Sequence, residues 1–267
     1  MNDQGRVTTA SLLKAKMSGR KISMLTAYDF PTAKLLDDSS VDIILVGDSL
    51  GNVILGYENT LPVTMEDMLH HTKAVRRGVS RAMLVVDMPF MSFQTGGRDA
   101  LLSAARFIKE AGAEGVKIEG DNYIDEMAAM IKAGIPVMGH LGFTPQYVEQ
   151  IGGYKVAGKT KAEADKILAS ARKLEKIGIF ALVLEMVPSA LAKKVTNALM
   201  IPVIGIGAGH HCDGQVLVTH DLVGLYPKPV PRFVKQYANL GKLMKEAVST
   251  FIWEVHSGKF PGKENSF

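Results

Sequence analysis

The sequence predicts an α/β protein built as a (β/α)₈ TIM barrel, with residues 1–267 forming a single domain. Eight short runs of β-branched and aliphatic residues alternate with longer amphipathic stretches. The runs are almost continuously apolar, as strands of a parallel sheet covered on both faces must be. A length of 267 residues suits eight such units. A doubly wound open sheet is the alternative, but it usually has fewer strands and a reversal of strand order that sequence cannot reveal.

Strands are predicted where the apolar runs are short and bounded by turn residues. They are Ile22–Ala27, Asp42–Val46, Ala82–Val86, Gly115–Ile118, Ile135–Met138, Ala181–Leu184, Ile201–Ile206 and Gln215–Thr219.

The predicted helices occupy the amphipathic stretches between these strands. They are Ser11–Met17, Met65–Val79, Asp99–Ala111, Tyr123–Ala133, Lys161–Ile177 and Ala190–Ala198. Gly112, Gly134 and Gly178 follow three of them, and glycine is the residue that most often ends a helix. The stretch Pro231–Ser257 predicts one or two long helices that close the domain.

Composition excludes several classes of function. The 31 basic and 27 acidic residues give a formal net charge of only +4, without a basic stripe interleaved with aromatic residues, so we expect no nucleic-acid partner. The longest apolar runs fall short of the ~18 residues of a membrane span, so we expect no membrane partner. The only cysteine, Cys212, excludes an internal disulfide framework. The first twenty residues lack the apolar core of a secretory signal, which favours a cytoplasmic location.

Ionisable residues stand at the ends of five successive predicted strands. They are Asp48, Asp87, the pair Lys117 and Glu119, His140, and Glu185. In a barrel the carboxyl ends of the strands share one rim, and that rim carries the active site. Lys117 and Glu119 are two residues apart on a strand, so their side chains face the same side.

Each of these residues alone has an ordinary explanation, such as a helix N-cap, a packed histidine or an ion pair. Together they predict a metal site, because burying several carboxylates close together is costly unless a cation compensates their charge. Oxygen ligands favour a hard ion, with Mg²⁺ the first choice and Mn²⁺ the second. A 2-oxo acid could fill the open positions of such an ion, and the ion would stabilise the enolate.

Twelve segments of the chain resemble one known family. They are MLTAYD (24–29), VGDSLGNVILGY (46–57), TLPVT (60–64), HTKAVRRG (71–78), DMPFMS (87–92), VKIEG (116–120), VMGHLGFTPQ (137–146), GGYKVAGK (152–159), LVLEMVP (182–188), IPVIGIGAG (201–209), CDGQVLV (212–218) and PRFVKQYA (231–238). The chain resembles the ketopantoate hydroxymethyltransferase family. The resemblance implies a barrel of the phosphoenolpyruvate/pyruvate type, Mg²⁺, and transfer of a hydroxymethyl group from 5,10-methylenetetrahydrofolate to 3-methyl-2-oxobutanoate, giving 2-dehydropantoate and tetrahydrofolate in pantothenate biosynthesis.

The same resemblance implies roles for individual residues. It makes Asp48, Asp87 and Glu119 the metal ligands, and Glu185 the catalytic base. The implied substrate contacts are Asp48, Ser49, Asp87, Lys117 and His140. It also implies a homo-oligomer, a decamer of two stacked pentamers. His210, His211 and Met186 depart from the family pattern, and no role follows for them.

Two other functions are consistent with a barrel that gathers acids at its rim. One is another Mg²⁺-dependent enzyme of carbon–carbon chemistry on 2-oxo acids, but such relatives carry a cysteine-containing loop like KKCGH, which this sequence lacks. The other is a non-catalytic barrel that senses a metabolite, which would not need a base at Glu185. An assay of folate dependence with 3-methyl-2-oxobutanoate separates the three.

Overall fold

The computed structural model describes residues 5–153, 155–227 and 229–267. The chain forms two compact units, Met1–Leu217 and Val218–Phe267. The expectation of one domain over residues 1–267 stays a prediction.

The first unit contains a closed barrel of eight parallel strands in sequence order, so the predicted fold class is confirmed. The strands are β1 (Ile22–Thr26), β2 (Ile43–Val46), β3 (Met83–Asp87), β4 (Gly115–Glu119), β5 (Val137–Gly142), β6 (Ala181–Glu185), β7 (Val203–Ile206) and β8 (Gly214–Leu217). The largest difference from prediction is β5, which begins after Pro136 because proline has no N–H for the sheet. His140 therefore lies within β5 rather than after it.

The helices of this unit are α1 (Thr9–Met17), α2 (Phe30–Asp38), α3 (Leu50–Val53), α4 (Met65–Gly78), α5 (Gly97–Ala111), α6 (Ile124–Lys132), α7 (Val148–Ile151), α8 (Lys161–Lys176) and α9 (Ser189–Ala198), with a 3₁₀ turn at Pro145–Tyr147. The six predicted helices are present. Helix α2 was not predicted because its short sequence FPTAKLLDD has a weak apolar pattern. It starts where the Asp29 carboxylate accepts a hydrogen bond from the Thr32 N–H. The glycines predicted to end helices have φ angles of 70°, 87° and 97° at Gly112, Gly134 and Gly178.

The hydrophobic core has two parts. An outer cluster lies between the strands and the surrounding helices. An inner cluster fills the barrel with alternate strand residues, such as Met83 and Val85 on β3 or Ala181 and Val183 on β6. Because side chains alternate along a strand, the next inward positions are Asp87 and Glu185. The residues that fill the barrel are thus succeeded by ionisable groups at its carboxyl end.

The second unit contains α10 (Thr219–Leu222), α11 (Leu240–His256) and a 3₁₀ turn at Lys263–Asn265. The predicted helical stretch Pro231–Ser257 is helical only from Leu240. The helix starts there because the side chain of Asn239 accepts a hydrogen bond from the Lys242 N–H at 3.1 Å. Among the described residues, no helix combines the length and apolar character needed to cross a bilayer.

Candidate active site at the carboxyl ends of the strands

Three buried carboxylates gather where β2, β3 and β4 end. Asp48, Asp87 and Glu119 are each less than 5% exposed. The Asp48 N–H donates to Asp87 Oδ2 at 3.1 Å. This approach needs Gly47, because a Cβ there would lie 2.7 Å from Ser49 Oγ and 3.4 Å from Asp87 Oδ2. The first two predicted acids are therefore neighbours, held by backbone that leaves no room for a side chain at Gly47.

Lys117 is the ammonium group of this cluster. Its Nζ lies 2.8 Å from Asp87 Oδ1 and 3.2 Å from His140 Nδ1. Burial opposes its protonation, but the charges of Asp87, Glu119 and Asp48 outweigh burial and raise the pKa of Lys117 above its ordinary range. Lys117 is therefore a permanent positive charge in a pocket that holds three acids.

His140 bridges the acids to the predicted base. Its Nδ1 is 3.4 Å from Glu119 Oε1, and its Nε2 is 3.2 Å from Glu185 Oε2. The second contact is an ion pair without hydrogen-bond alignment, since Nε2 meets no acceptor at suitable angles. Burial and the Lys117 charge oppose protonation of the ring, yet the two glutamates outweigh them and raise the pKa of His140 to about 9.

The pKa values of the three carboxylates are shifted in different directions by their surroundings. Burial and the charges of Asp87 and Glu119 hold the pKa of Asp48 well above its ordinary value. Burial also raises the pKa of Asp87, although Lys117 acts against it. Burial opposes ionisation of Glu119 too, but His140 and Lys117 prevail and lower its pKa. The cluster is thus short of positive charge around Asp48 and Asp87.

Ser49 is held in place by a tyrosine from the end of β1. The Tyr28 hydroxyl and Ser49 Oγ share a hydrogen bond of 2.9 Å. His71 Nδ1 donates to the Tyr28 carbonyl oxygen at 2.6 Å, which fixes the backbone of that tyrosine. Ser49 makes no capping bond with its side chain at the start of α3. Its hydroxyl therefore belongs to the rim rather than to the helix, as its predicted substrate role requires.

Glu185 ends β6 beside two unusual backbone positions. Met186 has φ 47°, in the left-handed region that residues other than glycine rarely adopt, and its N–H donates to the Ile206 carbonyl at 2.8 Å. Gly142, opposite on β5, has φ 102°, and a Cβ there would lie 2.1 Å from the Glu185 carbonyl oxygen. Such strain tends to occur at functional sites, and here it flanks the predicted base.

Gln146 is the residue that sequence reasoning missed. It is 4% exposed and lies in the 3₁₀ turn after β5. Its side-chain amide donates to Asp48 Oδ2 and to the Met88 carbonyl, each at 2.9 Å, and its backbone N–H donates to Glu119 Oε2 at 3.0 Å. The only signal in the sequence was that VMGHLGFTPQ (137–146), one of the family-like segments, ends on it.

The structure brings together every predicted site residue, but it does not present a complete metal cage. Within residues 5–153, 155–227 and 229–267, no three His, Cys, Asp or Glu side chains form a ready-made cation site. Mg²⁺ usually binds one or two carboxylates and keeps several waters, so the donors suit this ion without such a cage. The assignment of three ligands stays a prediction.

The only cysteine does not join this site. Cys212 is 1% exposed in the segment between β7 and β8, and burial raises the pKa of its thiol. A buried thiol that stays protonated is a poor nucleophile. This position gives no support to the alternative that requires a catalytic cysteine on a rim loop.

Comparison with known proteins now decides the family. A model of the family described as ketopantoate hydroxymethyltransferase matches residues 6–263. The chain belongs to the ketopantoate hydroxymethyltransferase family. A curated relative, 3-methyl-2-oxobutanoate hydroxymethyltransferase from Thermoanaerobacter sp. (strain X514), is 56% identical over 263 residues, which are 98% of this chain and 96% of the relative.

Solved structures that resemble this ketopantoate hydroxymethyltransferase family member are more distant in sequence. A 2,3-dimethylmalate lyase of the PEP mutase/isocitrate lyase superfamily aligns with a TM-score of 0.58 at 14% identity, covering 97% of this chain and 91% of the lyase. Phosphonopyruvate hydrolase, solved in complex with oxalate and Mg²⁺, gives a TM-score of 0.58 at 14% identity, with 96% and 92% covered. These likenesses confirm the (β/α)₈ barrel fold that the sequence predicts.

Proposed function

We propose that this chain transfers a hydroxymethyl group from 5,10-methylenetetrahydrofolate to 3-methyl-2-oxobutanoate, giving 2-dehydropantoate and tetrahydrofolate. Membership of the ketopantoate hydroxymethyltransferase family supports the reaction, and the name of the 56% identical relative states its acceptor. The observation that carries the chemistry is the chain of contacts from the buried acids through His140 to Glu185. It joins a site for a cation to a base in one pocket.

Mg²⁺ is the cation that the donors suit. Asp48, Asp87, Glu119 and Glu185 face two cations, Lys117 and His140, which leaves an excess of negative charge for a divalent ion to balance. Their donors are oxygens, which a hard cation prefers. When bound there, the ion would polarise the ketone of the substrate and favour its enolate. One or two of Asp48, Asp87 and Glu119, with water and substrate oxygens, would complete its coordination.

Lys117 and Ser49 are proposed to hold the substrate. Both lie on the rim beside Asp87 and Asp48, and each carries a donor suited to a carboxylate or keto oxygen. Lys117 is charged and buried, so its attraction for an anionic substrate is little weakened by water. The pocket therefore suits a small 2-oxo acid.

Glu185 is proposed as the base that removes the proton at C3 of the substrate. Its side chain is 16% exposed, so it remains open to the pocket while His140 holds Oε2 at 3.2 Å. Loss of the proton gives the enolate, whose C3 forms a bond to the methylene carbon of the folate. Both carbon–nitrogen bonds of that methylene carbon break, one as the new carbon–carbon bond forms and the other as water supplies the hydroxyl group. The proton from C3 and one proton of water end on the two folate nitrogens, and tetrahydrofolate leaves.

Exchange of the C3 hydrogen tests this assignment. Wild type with Mg²⁺ and 3-methyl-2-oxobutanoate in D₂O, without folate, should incorporate deuterium, as followed by proton NMR. We expect Glu185→Gln to lose at least about 100-fold of the exchange rate, because general-base catalysis contributes about 10²–10⁴-fold. The exposed Glu149, with the same substitution to Gln, is the matched control and should exchange normally. Exchange by Glu185→Gln at the wild-type rate would show that Glu185 is not the base.

The complete reaction is tested by the formation of 2-dehydropantoate with and without methylenetetrahydrofolate. Folate-dependent product supports the proposed transfer. Turnover of the 2-oxo acid without folate would favour a lyase or mutase, and no turnover would favour a sensor.

We further propose that the chain assembles as a homo-oligomer, specifically the decamer that the family resemblance implies. Helix α11 buries none of its residues, and its side chains Leu243 and Trp253 are 57% and 55% exposed. Apolar side chains repeated along one helix suit a second copy of the chain as partner. Light scattering coupled to size-exclusion chromatography should give about ten times the 28.9 kDa of one chain. A monomer would refute the assembly.

A cytoplasmic location is also proposed. One buried, unpaired cysteine suits a reducing compartment. Fractionation of cells that express the chain with its natural start would place it, and recovery from a membrane or secreted fraction would contradict the proposal.

A further inference from the structure

Gln146 occupies a position that connects four strand ends. It follows β5 in the 3₁₀ turn Pro145–Tyr147, which Pro145 starts at a position where its missing N–H has no cost. The chain reaches this turn through Gly142, whose φ of 102° turns it at the end of β5. The turn carries Gln146 into contact with residues that end β2, β3 and β4.

The orientation of the Gln146 amide follows from its partners. The two acceptors at 2.9 Å, Asp48 Oδ2 and the Met88 carbonyl, both need a donor, so the NH₂ group faces them. The opposite oxygen of the amide accepts weakly from Gln94 Nε2 at 3.5 Å. Both amide hydrogens are therefore used, and the side chain has no other arrangement of equal quality.

The same residue fixes one oxygen on each of two acids. The Gln146 side chain occupies Oδ2 of Asp48, while its backbone N–H occupies Oε2 of Glu119 at 3.0 Å. The Gln146 side chain bonds only Oδ2 of Asp48 and so leaves Oδ1 of that carboxylate outside the contact. A carboxylate pinned through one oxygen cannot rotate freely, so the other oxygen has a defined direction for a ligand.

We propose that Gln146 is a positioning residue of the cation site, which orients Asp48 and Glu119 for a divalent metal ion. The inference rests on the proposed function, since it assumes that these acids bind the ion. It assigns a role to a residue outside the ligand set. Loss of a hydrogen-bond partner behind a metal ligand typically costs about 10–100-fold in metal affinity, and we expect this range here.

Binding of Mn²⁺ without substrate tests the inference apart from catalysis. Electron paramagnetic resonance of free Mn²⁺ gives the dissociation constant for wild type, Gln146→Leu and Gln146→Met. Both substitutions keep most of the side-chain volume and the backbone N–H while removing the amide donors. The exposed Gln150, substituted by Leu, is the matched control in the same segment. Circular dichroism melting reports whether each variant is folded.

A loss of about 10–100-fold in Mn²⁺ affinity in a folded Gln146 variant, with Gln150→Leu unchanged, supports the inference. Activity of that variant should then recover as Mg²⁺ is raised by the same factor. Affinity within twofold of wild type would overturn it, and so would the failure of both Gln146 variants to fold, which would assign the residue to stability instead. If wild type itself binds no Mn²⁺, the metal part of the proposed function fails, and this inference fails with it.

Discussion

Replacing Gly142 by alanine probes the link between the barrel backbone and the proposed base. The new Cβ would lie 2.1 Å from the Glu185 carbonyl oxygen, whereas ordinary contact begins near 3.4 Å, so the two strands must separate by roughly 1.3 Å. The Glu185 carbonyl also accepts from the Phe143 N–H at 2.8 Å, and that hydrogen bond would lengthen. The substitution therefore moves Glu185 itself.

The expected loss of stability has two sources. A left-handed backbone costs an alanine about 1–2 kcal/mol, and overpacking adds about 1–3 kcal/mol, so the free energy of unfolding should fall by about 2–5 kcal/mol. Because a misplacement of about 1 Å can cost 10²-fold in rate, turnover should fall by about that factor.

Gly178→Ala separates the effect of the close contact with Glu185 from the cost of the backbone conformation. Gly178 has a similar φ of 97°, but the nearest atom to its Cβ would be Ile131 Cγ2 at an ordinary 3.5 Å. It should lose only about 1–2 kcal/mol and keep its activity. Urea denaturation followed by circular dichroism gives both stabilities, and initial rates of 2-dehydropantoate formation give both activities. If Gly142→Ala proves as stable and as active as Gly178→Ala, the close approach of β5 to β6 does not position Glu185.

Three further perturbations follow from other contacts. Lys117→Met removes the ammonium that lies 2.8 Å from Asp87, and it should lower the free energy of unfolding by about 3–5 kcal/mol near neutral pH. The loss should be smaller at acid pH, where the carboxylates left without a partner become protonated. Urea denaturation at two pH values measures it, and a loss that does not depend on pH would contradict the argument. Burial opposes ionisation of Asp37, but hydrogen bonds to its carboxylate from the backbone and a hydroxyl prevail and lower its pKa. Asp37→Asn should therefore lower the free energy of unfolding by about 2–3 kcal/mol near neutral pH, and the difference from wild type should shrink as pH falls below about 4. A difference in thermal denaturation that stays constant across that pH range would refute the argument. Tyr28→Phe releases the hydroxyl of Ser49 and should raise the KM for the 2-oxo acid by about 5-fold with kcat little changed. An unchanged KM in steady-state kinetics would show that this hydrogen bond does not position Ser49 for the substrate.

Much of the fold was predictable because the barrel imposes a simple pattern on the chain. Strands buried on both faces must be apolar throughout, so runs such as Ile43–Val46 are visible in the sequence. Parallel strands place all their carboxyl ends on one rim, so the sequence predicts that Asp87 and Glu185 share a pocket. Boundaries were less certain: the β5 shift past Pro136 and the late start of α11 at Leu240 depend on a missing N–H and on a capping side chain.

The sequence by itself determined the class of barrel, the rim and the ionisable residues on it, because alternation along a strand and the direction of the strands are local and topological properties. Only the tertiary structure decided that His140 stands between Glu119 and Glu185, and that Gln146 reaches Asp48 over 98 residues of chain. These contacts depend on distances and angles between atoms on different strands. Such geometry is set by the packing of the whole barrel, and no short stretch of sequence encodes it.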